Sequence, residues 1–252
     1  MPLKQSTQRI IDLAVKLTDR PVHIAEDPSL QTLAKITIAR GDAPMHILRY
    51  KPSGSIPPDY FIAYQCGFVI RLYMAPSEKR FDVGWNSEGN RRMDEALSEL
   101  RIPGEMRGMG KHLLNGLITQ LRMYPVGLRI DQWLFESYPD LRELQKTGAH
   151  VQLEQNIEAI KMANSAMFPR KIVDANLSMN AAFAMFWSKR WNDPSLILPF
   201  KAAGLLEGGM RLLAISEKIS EDSASDMDLI DEWAFELGLN GWYDRIPYKL
   251  NP

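Results

Sequence analysis

Tyr64-Gln65-Cys66-Gly67-Phe68 places two aromatic rings four positions apart, with an amide directly after the first. On a helix, positions i and i+4 share one face. This is therefore the spacing of H-E-x-x-H, in which two imidazoles hold Zn²⁺ and the glutamate takes a proton from metal-bound water. All three chemical groups are replaced here. Gln65 has the size of glutamate but no pKa within reach, so it cannot act as a general base. Read for packing alone, the same residues form an i, i+4 aromatic pair on a buried helix, with Gln65 bonded to a neighbour.

A second chemistry would use Cys66 as a nucleophile, with His23, His46, His112 or His150 as its base. Its apolar neighbours and mid-helix position, away from a helix N-terminus that would lower its pKa, point instead to an inert core thiol. His46, in a β-like run, reads as a packed or partly exposed histidine. Gly108-Met-Gly110-Lys111-His112 falls short of the phosphate loop G-x-x-x-x-G-K-[ST]. Glu105 stands at the first glycine position, and His112 replaces the hydroxyl that would hold Mg²⁺. Arg129, Asp131 and Trp133 are candidates for binding. They form either a buried Arg–Asp arrangement tying the helix opened by Pro139 to the helix of Tyr64, or a surface ion pair beside a core tryptophan.

The elements that must position these residues follow from periodicity. Ile10, Ile11, Leu13, Ala14 and Leu17 recur at helical spacing, which predicts an amphipathic helix over about 5–18 rather than a signal peptide. TLAKITIAR, the Gly41-Asp42 turn and MHILRY predict a β-hairpin, the one convincing sheet. A Pro-rich loop containing Gly54 leads through Pro57 and Pro58 into DYFIAYQCGFVIRLY, a helix that ends at Pro76. Helices are expected over 91–100 and 105–123, broken by Pro103-Gly104 and Pro125. Others are expected from Pro139 to Ala166, from Pro169 to Arg190, and over 203–220 and 228–237. The final ELGLNGWYDRIPYKLNP is either a tail docked on the core, the default, or a partner-binding segment.

These elements predict an α+β, predominantly helical fold. An N-terminal part over 1–125 carries the small sheet, a helical bundle covers 126–252, and the two share one core. The 252 residues are 45% hydrophobic, and 30 Lys plus Arg against 31 Asp plus Glu give no broad field to attract nucleic acid or an anionic membrane. The single cysteine excludes a disulfide framework and suits a reducing, cytoplasmic setting. No stretch is apolar for long enough to span a bilayer.

The hairpin ending in His46-Ile-Leu-Arg-Tyr50, the Pro-rich loop and the helix holding Tyr64-Gln65-Cys66-Gly67-Phe68 resemble the zincin-like metallopeptidases, over about 32–124. In that resemblance Tyr64 stands at the first histidine ligand, Gln65 at the catalytic glutamate and Phe68 at the second histidine. A third ligand would come from a later helix, where Glu95, Glu99 or Glu105 are the choices. The resemblance implies a catalytically inactive pseudo-peptidase without a cofactor. It would bind another protein or a peptide in a bacterial regulatory or phage-defence complex. The alternative is an active hydrolase using Cys66 or an unrecognised metal site.

Overall fold

In the computed structural model, residues 3–52, 56–100, 109–163 and 168–248 are described. Gly54, the Pro103-Gly104 break, Glu105, Gly108 and Ala166 lie outside them. The apolar stripe of Ile10, Ile11 and Ala14 is buried on α1 (Gln5–Thr18), as its spacing requires. The hairpin forms from β2 (Ala34–Thr37) and β3 (His46–Tyr50), antiparallel, with Ala34 opposite Tyr50 and Thr37 opposite Ile47. A strand the periodicity does not announce, β1 (Val22–Glu26), pairs in parallel with β3 and gives the sheet order β1-β3-β2. Its five residues are short and only partly buried, so they carry no clean alternation.

α2 (Asp59–Met74) is buried on most of its circumference because α1, the sheet, α4 and α5 all pack on it. β4 (Phe81–Trp85) follows, then α3 (Ser87–Ser98). α3 starts earlier than the predicted residue 91 because the Asn86 side chain caps it, accepting from Gly89 N at 2.8 Å. α4 (Gly110–Ser137) runs through Pro125, contrary to the break that proline predicts. The lost backbone bond costs about 3 kcal/mol. Buried Leu121, Val126, Leu128, Ile130 and Leu134 on both sides hold the segment helical against α2, α6 and α9.

After a 3-10 turn at Pro139–Leu141 come α5 (Arg142–Ala163), α6 (Arg170–Trp191), the short α7 (Leu198–Ala202), α8 (Leu206–Lys218) and α9 (Asp226–Glu236). The tail docks as a strand, β5 (Tyr243–Pro247), antiparallel to β4, with Trp242 buried beside it. The fold is thus α+β and predominantly helical, with a three-stranded and a two-stranded sheet among the described residues. Among them no helix is long and apolar enough to cross a membrane.

Candidate functional site

Gln65 points at the sheet. Its Oε1 accepts the Ile36 N–H at 3.1 Å and its Nε2 donates to the Ala34 carbonyl at 3.3 Å. In the antiparallel pairing with β3, Lys35 and Thr37 direct their backbone groups inward, so those of Ala34 and Ile36 face the open side of β2. One side-chain amide therefore supplies the donor and the acceptor that a further strand would have supplied. Gln65 thus closes a sheet edge.

Tyr64 and Phe68 meet edge-to-face with centroids 5.3 Å apart, on another face of α2. α4 lies on that face. The contact is reciprocal: a Cβ on Gly67 of α2 would stand 2.5 Å from Ile130 Cγ2 of α4, and a Cβ on Gly127 of α4 would collide with the Tyr64 hydroxyl. Each helix offers a glycine where the other presents a bulky side chain, so their axes approach closely. Burial, with the Asp131 charge next, pushes the Tyr64 hydroxyl well above the usual phenol range. A neutral phenol and a phenyl ring do not fit a zinc ion, and among the described residues no three His, Cys, Asp or Glu side chains converge to hold one. Glu95 on α3 and Glu99 just past its end are exposed, with Glu95 bound to Arg91. The carboxylate that stands near Tyr64 is Asp131.

Cys66 is fully buried, and burial pushes its thiol up to about 12. His46 is also fully buried, as a neutral ring. Its Nδ1 accepts the Ala39 N–H at 2.9 Å, which leaves Nε2 to donate to Thr18 Oγ1 at 3.0 Å. Burial, with the nearby Arg20 charge, pulls its pKa down to about 4. His46 thus joins the end of α1 to the start of β3. His23 and His112 are exposed, and His150 stacks on Trp191 with centroids 5.1 Å apart.

Arg129 and Asp131 are both buried but do not pair with each other, because residues two apart on a helix project in nearly opposite directions; the expected tie from the helix after Pro139 to the helix of Tyr64 is made by Asp131 alone. Arg129 donates to Asp226 Oδ1 at 2.8 Å and to the carbonyls of Ile219 and Ser220. Arg71 of α2 holds the same carboxylate through Nε and Nη2, both at 2.7 Å. Two arginines from α2 and α4 thereby fasten the start of α9. Asp131 turns inward, where Oδ1 accepts Tyr60 OH at 2.8 Å and Gln145 Nε2 at 3.0 Å. Burial pushes its carboxyl up to about 7, against the pull of those two hydrogen bonds and of the Arg190 charge. Asp226, Arg71, Tyr60 and Gln145 carried no local signal, since each meets its partner across many tens of residues or from another helix.

Trp133 is half-buried and packs edge-to-face on Tyr138 at 5.3 Å. It lines a groove of about 370 Å³ between α1, α2 and α4, walled by Leu13, Ile70, Met74 and Ile130. Arg71 and Arg129 stand at one end, and Glu136 and Glu221 also border it. Met74 is 62% exposed, and Leu17 continues the Leu13 stripe one turn further along α1. Beside Phe68 the space is only about 70 Å³. That is too small for a peptide side chain with its backbone, whereas the groove falls within the range of ligand-binding clefts.

The comparisons identify no relative. Neither protein-family models, nor curated proteins, nor solved structures give a match.

Proposed function

We propose that the chain is a metallopeptidase-like protein without catalytic function, which binds another protein or a peptide. The reading is carried by the way α4 lies on the Tyr64–Phe68 face of α2, with the reciprocal Gly67 and Gly127 contacts, while an apolar groove opens elsewhere on the same helix. A helix whose former ligand positions are packing surface, and whose glutamate position closes a strand edge, has the makings of a scaffold. Exposed Met74 and half-buried Trp133 give that scaffold a place where an apolar side chain can be desolvated. The bacterial regulatory or phage-defence setting rests on the resemblance to zincin-like peptidases alone. Against a hydrolase built on Cys66 stands the burial of its thiol.

Two measurements test the reading together. Peptides selected by phage display on the immobilised chain should lose binding to Met74→Asp and Trp133→Ala variants. Casein should stay intact with the chain in the presence of zinc. Selected peptides that bind both variants as well as the wild type would remove the groove from the account. Casein cleavage that disappears in Gln65→Ala or Cys66→Ala would overturn the non-catalytic reading.

A further inference from the structure

Asp131 is 1% exposed at the junction of α2, α4 and α5, yet among the described residues no cation bonds to its carboxyl. The donors it receives, Tyr60 OH and Gln145 Nε2, are both neutral, and both go to Oδ1. Gln145 also donates to the Asp131 backbone carbonyl at 2.9 Å, while its own Oε1 is buried without a hydrogen-bond partner. The contact is close: a Cβ on Gly148 of α5 would stand 2.6 Å from Tyr60 Cε1. Asp131 therefore joins α5 to α2 at the point where the two helices touch.

The charged and titratable groups around it offer little to an anion. From α2 come Tyr60 and Tyr64, both held neutral by burial and by Asp131 itself. From α6 comes Arg190, which acts through space and is engaged with Glu136 at 3.4 Å. On α5, Lys146 and His150 lie against Trp191. The neighbouring Asp59 is turned to α1, accepting the Lys4 N–H and the Thr7 hydroxyl. An ionised carboxylate at this place has two neutral donors and, among the described residues, no bonded counter-ion, which is an unfavourable state for a buried charge.

We propose that Asp131 is a proton-operated latch: its neutral form holds α5 against α2, whereas loss of the proton to solvent strengthens the bonds from Gln145 and Tyr60 but leaves a charge buried without a bonded cation among the described residues, and that larger cost loosens α5. Acid closes the latch and alkali opens it, because the folded state favours the protonated carboxyl. Opening exposes the side of α2 that carries Tyr60 and Tyr64. The inference does not depend on the chain binding a peptide.

Hydrogen exchange of α5 amides in the intact chain, corrected for intrinsic rates and referenced to α8, tests it. Between the carboxyl's exposed value of about 4 and its buried value of about 7, α5 exchange should rise by up to about tenfold per pH unit, and it should level off above that. In Asp131→Asn, which keeps an acceptor for Tyr60 and Gln145 and adds a neutral donor, that dependence should vanish. Infrared difference spectra of the wild-type chain supply a readout that needs no variant to fold. A protonated carboxyl band should disappear between about pH 5.5 and about pH 8.5. Corrected α5 exchange that ignores pH, an unchanged pH response in Asp131→Asn, or no such band at the acid end would each overturn the latch.

Discussion

Replacing Gln65 by glutamate introduces the residue that H-E-x-x-H carries at that place at almost no change in volume, and the geometry of β2 says what it does. The amide is 6% exposed and serves one donor, Ile36 N, and one acceptor, the Ala34 carbonyl. The introduced carboxyl, when protonated, can meet both, since its O–H donates where Nε2 did. Once ionised, it meets only Ile36 and turns a negative oxygen towards a carbonyl in a buried setting. The folded state thus raises the pKa of the new side chain above its unfolded value of about 4.3. Between those two values the folded chain binds more protons than the unfolded one, so stability falls as pH rises. We expect Gln65→Glu to cost under about 1 kcal/mol near pH 4 and on the order of 3 kcal/mol near pH 8, relative to wild type at the same pH. Gln65→Ala leaves both backbone groups unpaired and should cost about 2–4 kcal/mol with no added pH dependence. Urea unfolding followed by circular dichroism at both pH values reads the difference, and each kcal/mol should also move the Tm by roughly 2–4 °C. If Gln65→Glu tracks the wild type across that range, the amide is not holding the strand edge and the reasoning fails.

Three further outcomes follow from the same packing. Gly67→Ala drives a methyl into Ile130 Cγ2 and should cost about 1–3 kcal/mol, but less when introduced into Ile130→Ala, which removes that atom; full additivity in a double-mutant cycle would contradict the close approach. His46, whose folded pKa of about 4 lies below its unfolded 6.5, contributes stability that is fully present above pH 6.5 and lost as pH falls towards 4, by about 2–3 kcal/mol. His46→Phe should remove that acid-side slope from the unfolding curve, and an unchanged slope would refute the assignment. Cys66 should react with a thiol reagent at neutral pH at least about 10³-fold more slowly in the native chain than in denaturant, since access requires opening; fast native labelling would contradict its burial.

Helical spacing alone placed α1 to the residue. The hairpin and the helix after Pro58 were equally legible, because their patterns repeat within a few residues and their turns carry Gly and Pro. The predominantly helical α+β class followed from the same local signals. What the residues of the candidate site touch was not legible. Gln65 could be read as an amide seeking a partner, but the partner is a strand edge some thirty positions earlier. Arg129 and Asp131 looked like a pair on paper and are separated by the turn of the helix, so each takes a partner from elsewhere, Asp226 for one and Tyr60 with Gln145 for the other. β4 had no meaning until β5 arrived from the far end of the chain to pair with it, and Pro125 marked a break that the packing around α4 overrode.

The sequence by itself determined which segments bury an apolar face and that residues 64–68 carry neither the imidazoles nor the carboxylate that H-E-x-x-H requires. These are properties of residue type and period. Only the tertiary structure decided that α4 fills the face those residues share, that Gln65 closes β2, and that Asp131 is buried without a bonded counter-ion among the described residues. Each of those depends on which surfaces come within a few ångströms of one another, and short-range dispersion and hydrogen bonding act only after the chain has folded to bring them there.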